Sequence, residues 1–183
     1  MSSEPKTILE TERFFLREFS EGDAKSLFLM NSDPEVIRYT GDPPFLSVEQ
    51  TLDFIRVYDH YEKFGMGRWA VIDKSSGEFT GWCGLKVEVD YGGDIDLGFR
   101  FLSSWWGKGV ATETATACLR HGFEKLGLHL IVGRVMPANK ASSRVMEKIG
   151  MREAGDCVED GIHLYRYEMT AQQFASDQDG ETQ

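Results

Sequence analysis

Between Trp69 and Leu102 the chain is written as three short extended segments separated by turns, and this stretch limits the fold more than any other. Trp69 to Asp73 is short and apolar, Lys74-Ser75-Ser76-Gly77 is a turn, and Phe79 to Val89 is a second strand. Tyr91-Gly92-Gly93 is another turn, and Asp94 to Leu102 a third strand. Turns this short join only antiparallel neighbours, so the stretch predicts a meander. A sheet must be covered on at least one face. The segment from Val110 to Leu126 predicts the covering helix, with Ala111, Ala115, Cys118, Leu119, Gly122, Phe123 and Leu126 at helical spacing.

The flanks complete one domain. Ile8 to Phe19 reads as extended. Ser20-Glu21-Gly22-Asp23 opens a short helix, and Asp33-Pro34 another, with Pro at the first helical position. Ser47-Val48-Glu49-Gln50 is a capping box for a helix running to Phe64. Leu130 to Val135 is a strand, and Asn139 to Ile149 a helix that stops at Gly150. Met151 to Val158 and Ile162 to Thr170 form a hairpin around Glu159-Asp160-Gly161. The sum is an α/β domain over residues 1–172, with a mixed, mostly antiparallel sheet of about seven strands and about four helices. Residues 173–183 hold Asp177, Asp179 and Glu181 with no basic residue, and are expected to be a disordered acidic tail.

A formal charge of −10 excludes a general nucleic-acid surface, which needs a basic footprint. No apolar run reaches the ~20 residues of a membrane helix, and the first residues have no apolar signal core, so a cytoplasmic protein without a membrane partner is expected. Cys83, Cys118 and Cys157 fit neither a disulfide framework nor a zinc pattern, and are expected as reduced, mostly buried thiols. His60, His121, His129 and His163 lack ligand spacing, so no metal site is expected.

Trp106-Gly107-Lys108-Gly109-Val110-Ala111 lies between the third meander strand and the long helix. Its glycines permit a tight turn and close approach of a ligand to the backbone. The helix start adds unpaired amides and a positive dipole end, and Lys108 adds charge, which together suit a phosphate. A turn that merely lets helix and sheet pack closely fits the same residues. A dinucleotide fingerprint fails, because its spacing gives Gly107, Gly109 and then Thr112, with no acid about 20 residues on. A nucleotide P-loop fails for want of Gly-Lys-Ser/Thr.

The segment resembles the (Gln/Arg)-x-x-Gly-x-(Gly/Ala) pyrophosphate motif of the GNAT superfamily of acyl-CoA N-acyltransferases. Gly109 and Ala111 match its small positions, and Trp106 stands where Gln or Arg leads. Trp-Gly-Lys-Gly-x-Ala-Thr-Glu is similar to the RimJ/RimL ribosomal-protein N-terminal acetyltransferase branch. So are Ile8-Leu9-Glu10-Thr11-Glu12-Arg13 with Leu16-Arg17, and Val135 to Ser142 through Glu147-Lys148-Ile149-Gly150-Met151, where Met151 replaces the usual Phe.

The resemblance implies a GNAT-like sheet splayed between the strands Asp94–Leu102 and Leu130–Val135. The pantetheine of acetyl-CoA would lie in the opening beside backbone groups near Phe99 and Phe101. The amides of Gly107, Lys108, Gly109, Val110 and Ala111 would hold the pyrophosphate. Asn139 serves as an N-cap and, in the family, also touches the cofactor. Ser142, three residues on, is either a small polar residue of the first turn or the proton donor or hydrogen-bond partner for the departing thiolate, with neighbouring Ser143 left open. Lys140 and Arg144 are equally 3′-phosphate partners or solvated charges. Asp96 stands where many members carry a Glu that takes the amine proton; it reads equally as a base, a substrate-positioning acid or a surface charge. Arg38, Tyr39, Trp69 and Trp82 are candidates for the acceptor pocket, or for packing.

These residues imply acetyl transfer from acetyl-CoA to a primary amine (a protein N-terminus, a polyamine or another small amine) by direct attack in a ternary complex. An acyl-CoA-binding sensor without turnover is the second reading. The pattern leaves a homodimer open.

Overall fold

The computed structural model describes residues 5–180. Its eight strands are β1 (Thr7–Glu10), β2 (Phe14–Arg17), β3 (Arg68–Asp73), β4 (Phe79–Glu88), β5 (Asp94–Phe101), β6 (Leu130–Val135), β7 (Arg152–Glu159) and β8 (Ile162–Thr170). They form one sheet in the order β1-β2-β3-β4-β5-β6-β8-β7. The neighbours are antiparallel except β5 and β6, which are parallel.

The extra strand arises where one was expected. Ile8–Phe19 folds back at Thr11, whose amide donates to the Phe14 carbonyl at 2.8 Å while its hydroxyl accepts from the Phe14 amide at 3.0 Å. That side chain-to-backbone closure makes a turn without Gly or Pro.

The helices before the meander are α1 (Ala24–Ser32), α2 (Pro34–Ile37), α3 (Val48–Val57) and α4 (His60–Phe64). Ser47 caps α3 by accepting from the Gln50 amide at 3.2 Å. The helix expected to run to Phe64 breaks at Tyr58, which is extended and whose hydroxyl accepts from the Arg68 amide at 2.8 Å. After the meander come α5 (Val110–Arg120), continued by a π turn at His121–Lys125, then α6 (Lys140–Lys148) and α7 (Ala171–Gly180).

Period-2 alternation assigns the sheet faces. Trp69 and Val71 of β3 join Cys83, Leu85 and Leu97 under Ala115, Cys118 and Leu119 of α5. Ala70 and Ile72, on the opposite face, pack with Leu27, Met30, Val36 and Ile55 of the early helices. Cys83 and Cys118 are buried with their sulfurs 3.7 Å apart, and Cys157 is half-buried.

Residues 171–180 correct the expected disordered tail. They form α7, and Phe174 is buried against Phe123, with ring centres 5.1 Å apart. One aromatic anchor outweighs the acidic composition. Residues 181–183 lie outside the described residues.

The feature that shapes the site is a fork. β4 and β5 pair at eight consecutive positions, from Gly81↔Phe101 to Glu88↔Asp94. β5 and β6 meet at Asp96↔Val132 alone, and beyond it the two strands diverge.

Candidate active site

The fork opens into a cleft of about 1310 Å³ that reaches from the loop before α5 to the loop after α2. At its α5 end Trp106 is extended, and Gly107 (φ 72°) and Gly109 (φ 76°) are left-handed, a region side chains rarely adopt. Gly109 is the N-cap of α5, so the first-turn amides that follow have no intrahelical partner. The Trp106 indole donates to the Phe101 carbonyl at 3.0 Å, and Trp105 meets Phe14 edge-on at 6.1 Å, which fastens the loop to the sheet. Trp106, Gly107, Gly109, Val110 and Ala111 line the cleft. The Lys108 ammonium, expected to add charge here, lies 4.9 Å from the Trp105 ring centre instead.

The strand edge beside this cradle is available on alternate residues. The Leu102 amide donates to Thr80 beside β4, so strand alternation turns the peptide groups of Phe99 and Phe101 toward the fork. The Phe101 carbonyl is taken by Trp106.

Helix α6 forms the opposite wall. Asn139 Oδ1 accepts from the Ser142 amide at 3.1 Å, the N-cap bond expected from the sequence. Ser142 and Arg144 line the cleft. Ser143 turns inward and is buried, its hydroxyl without a hydrogen-bond partner among the described residues. Of the basic residues on this helix, Arg144 and Lys148 line the cleft, whereas Lys140 sits 5.7 Å from the Tyr165 ring centre.

The floor beyond the fork is a charged network. Asp96 is only 7% exposed, which rules out a surface charge. One carboxylate oxygen pairs with Arg68 and the other accepts from Arg134 at 3.2 Å. Arg68 also donates to the main-chain carbonyls of Gly84 (2.7 Å) and Asp96 (2.8 Å), beside the Trp82 ring. Gly98 leaves room for this arrangement, because a Cβ would stand 2.6 Å from the Arg68 guanidinium and displace it. Asp94 joins Arg134 (2.6 Å) to Arg166 (2.5 Å).

These pairs set opposite proton affinities. The Arg166 hydrogen bond holds Asp94 below its ordinary value. Its stabilising contribution is therefore complete above the unfolded pKa of about 3.9 and is lost as pH falls through the lower folded value. Burial pushes Glu159 up, against the pull of Arg134. Burial lowers His60, whose ring lies at a tilt against Tyr58 and Phe64.

Of the four expected acceptor residues, Tyr39 and Trp82 line the cleft. Arg38 lies outside it, 3.7 Å from Glu35. Trp69 is 1% exposed in the α5-side core, against His121, because alternation along β3 sends Arg68 rather than Trp69 toward the cleft. Arg68, Arg134, Tyr58 and His60 are cleft residues that the sequence reading did not include. A signal existed for Arg134, a lone cation inside the apolar run Leu130-Ile131-Val132-Gly133-Arg134-Val135.

No helix among the described residues is long and apolar enough to cross a membrane. Residues 13–152 match the family model described as an acetyltransferase (GNAT) domain. The chain is 31% identical over 150 residues to the uncharacterized N-acetyltransferase YoaA of Bacillus subtilis, covering 81% of this chain and 84% of that one. Among solved structures, a GNAT-family acetyltransferase from Bacillus anthracis superposes with a TM-score of 0.76 at 28% identity, covering 90% of this chain and 98% of that one. A spermidine N-acetyltransferase from Vibrio cholerae, solved with CoA and spermine, shares the fold with a TM-score of 0.75 at 19% identity, over 89% and 98% of the two chains.

Proposed function

The chain belongs to the GNAT family of N-acetyltransferases, and on that premise we propose that it transfers an acetyl group from acetyl-CoA to a primary amine by direct attack. The observation that carries this reading is the pair of left-handed glycines, Gly107 and Gly109, at the start of α5 beside the β5–β6 fork. The cradle fits a pyrophosphate, since backbone amides and a helix dipole converge where no side chain intrudes. Phe99 offers peptide groups to the pantetheine, and Arg144 a cation to the 3′-phosphate.

The chemistry asks little beyond orientation. The amine attacks the thioester carbonyl while the departing thiolate takes a proton. Ser142 is the donor in this reading, with Asn139 holding the helix start. An α-amino group, with a pKa of about 7.7–8.0, is partly neutral near pH 7.5 and needs little help, whereas a Lys amine near 10.4 would need a base. Asp96, held by two arginines, acts as a positioning acid, anchoring the floor against which the amine is presented. Tyr39 and Trp82 flank that floor. The acceptor classes remain a protein N-terminus, as the RimJ/RimL resemblance implies, or a polyamine or other small amine.

Thiol release from acetyl-CoA over a panel of N-terminal peptides, polyamines and small amines tests the reading. Turnover with one class supports it; CoA binding with no release across the panel would leave a sensor. Ser142→Ala should lower kcat about a hundredfold or more with the acetyl-CoA KM nearly unchanged, since a leaving-group donor acts in the transition state. An unchanged kcat in single-turnover measurements would remove Ser142 from that role.

A further inference from the structure

We propose that Arg13 is a positioning residue that aims the backbone of the cradle at the cofactor's pyrophosphate. The inference rests on the proposed role of the cradle. Arg13 lies at the Thr11–Phe14 turn between β1 and β2, about a hundred residues upstream of the loop it touches. Its Nη1 donates to the Lys108 carbonyl at 2.9 Å, and its Nε donates to Glu113 Oε2 at 2.7 Å. The other Glu113 oxygen accepts from the Arg13 amide at 3.0 Å and from the Thr11 hydroxyl at 2.6 Å. Arg13 Nη2 lies 3.5 Å from where a Cβ would stand on Gly109.

The consequence follows from peptide planarity. The Lys108 carbonyl and the Gly109 N–H belong to one trans peptide and point in opposite directions. Holding the carbonyl toward Arg13 therefore aims the Gly109 N–H the other way. The next link is pinned too, because the Glu113 amide donates to the Gly109 carbonyl at 3.0 Å while the Glu113 side chain is held by Arg13. Gly107 and Gly109 otherwise leave this loop free to rotate, and glycine has the most conformational freedom to lose on ordering. Arg13 supplies a restraint at no steric cost to the ligand. Arginine suits the task because its planar fork holds two acceptors in fixed directions, which an ammonium cannot do.

The arrangement explains two sequence features at once. Thr11-Glu12-Arg13 and Gly109-Val110-Ala111-Thr112-Glu113 are remote in the chain, and they interlock in the fold through Thr11, Arg13 and Glu113.

Calorimetric titration with CoA, and displacement titration with pantetheine, which lacks the pyrophosphate, test the proposal on the wild type, Arg13→Gln and Arg13→Lys. The wild type should prefer CoA strongly; equal affinities would remove the pyrophosphate reading itself. Arg13→Gln should weaken CoA about tenfold, the scale of a lost charge-assisted bond, with pantetheine affinity and thermal midpoint close to wild type. Arg13→Lys should not recover the loss. CoA affinity unchanged in Arg13→Gln would overturn the clamp, and full recovery in Arg13→Lys would reduce it to bulk charge. Should Arg13→Gln not fold, Glu113→Gln loosens the same clamp from the helix side. It should weaken CoA selectively, and an unchanged CoA affinity there would overturn the proposal equally.

Discussion

Gly109→Asp should fold and yet lose CoA affinity by about two orders of magnitude, the equivalent of a few kcal/mol of like-charge contact. The two halves of this expectation have separate causes. Folding is tolerated because the free amides and positive dipole end at the start of α5 favour a negative charge. The left-handed backbone there, φ 76°, costs a side chain about 1 kcal/mol, and Asp is among the residues that accept it best. A Cβ meets nothing nearer than Arg13 Nη2 at 3.5 Å. Binding fails for the same reason that folding succeeds. A carboxylate beside these amides competes for the donors proposed for the pyrophosphate and repels it. Gly109→Ala separates the two effects, because it carries the backbone cost without the charge and should lose far less. Calorimetry with CoA checks both variants, with circular dichroism as the test of folding. Unchanged affinity in folded Gly109→Asp would remove the cradle from the cofactor site.

The cradle was readable because its information is local: two glycines, a helix start and the strand before them fall within a few residues. The strands from β3 to β8 were readable for the same reason, since alternation and turn residues are short-range. Features closed by one side chain over a distance were not. The turn at Thr11 has no Gly or Pro and depends on a hydroxyl bond to Phe14. The break between α3 and α4 depends on Tyr58 meeting Arg68 from another element. In the tail, composition pointed to disorder while Phe174 alone found the core. The floor of the cleft was the least readable part. Arg68, Asp96, Arg134 and Arg166 come from four strands, and only the sheet order brings them together. Trp69 illustrates the same limit: an aromatic residue beside the site in sequence faces the other way once the phase of β3 is known.

Asp96→Ala should cost about 3 kcal/mol of stability, near the lower end for breaking a buried ion pair, and should also disturb the fork. Two guanidinium groups depend on this carboxylate. Arg68 would keep two main-chain carbonyls, but its nearest remaining acid would be Glu88 at 3.9 Å. Arg134 would keep Asp94 and Glu159, which is why the lower end applies. The position matters as much as the charge, because Asp96↔Val132 is the sole pairing that joins β5 to β6. Arg68, left with only the more distant Glu88 beside that pairing, would disturb the strands where the thioester is proposed to sit. Denaturant unfolding measures the stability loss, and a change below about 1 kcal/mol would show that the network is neutralised elsewhere. Asp96→Asn distinguishes positioning from proton transfer. It keeps the shape and one acceptor, so it should lower kcat/KM while leaving the form of the pH–rate profile intact, as a residue that positions the amine and does not take its proton requires. Loss of a limb of that profile in Asp96→Asn would return Asp96 to the role of base and require one arginine to release it during turnover.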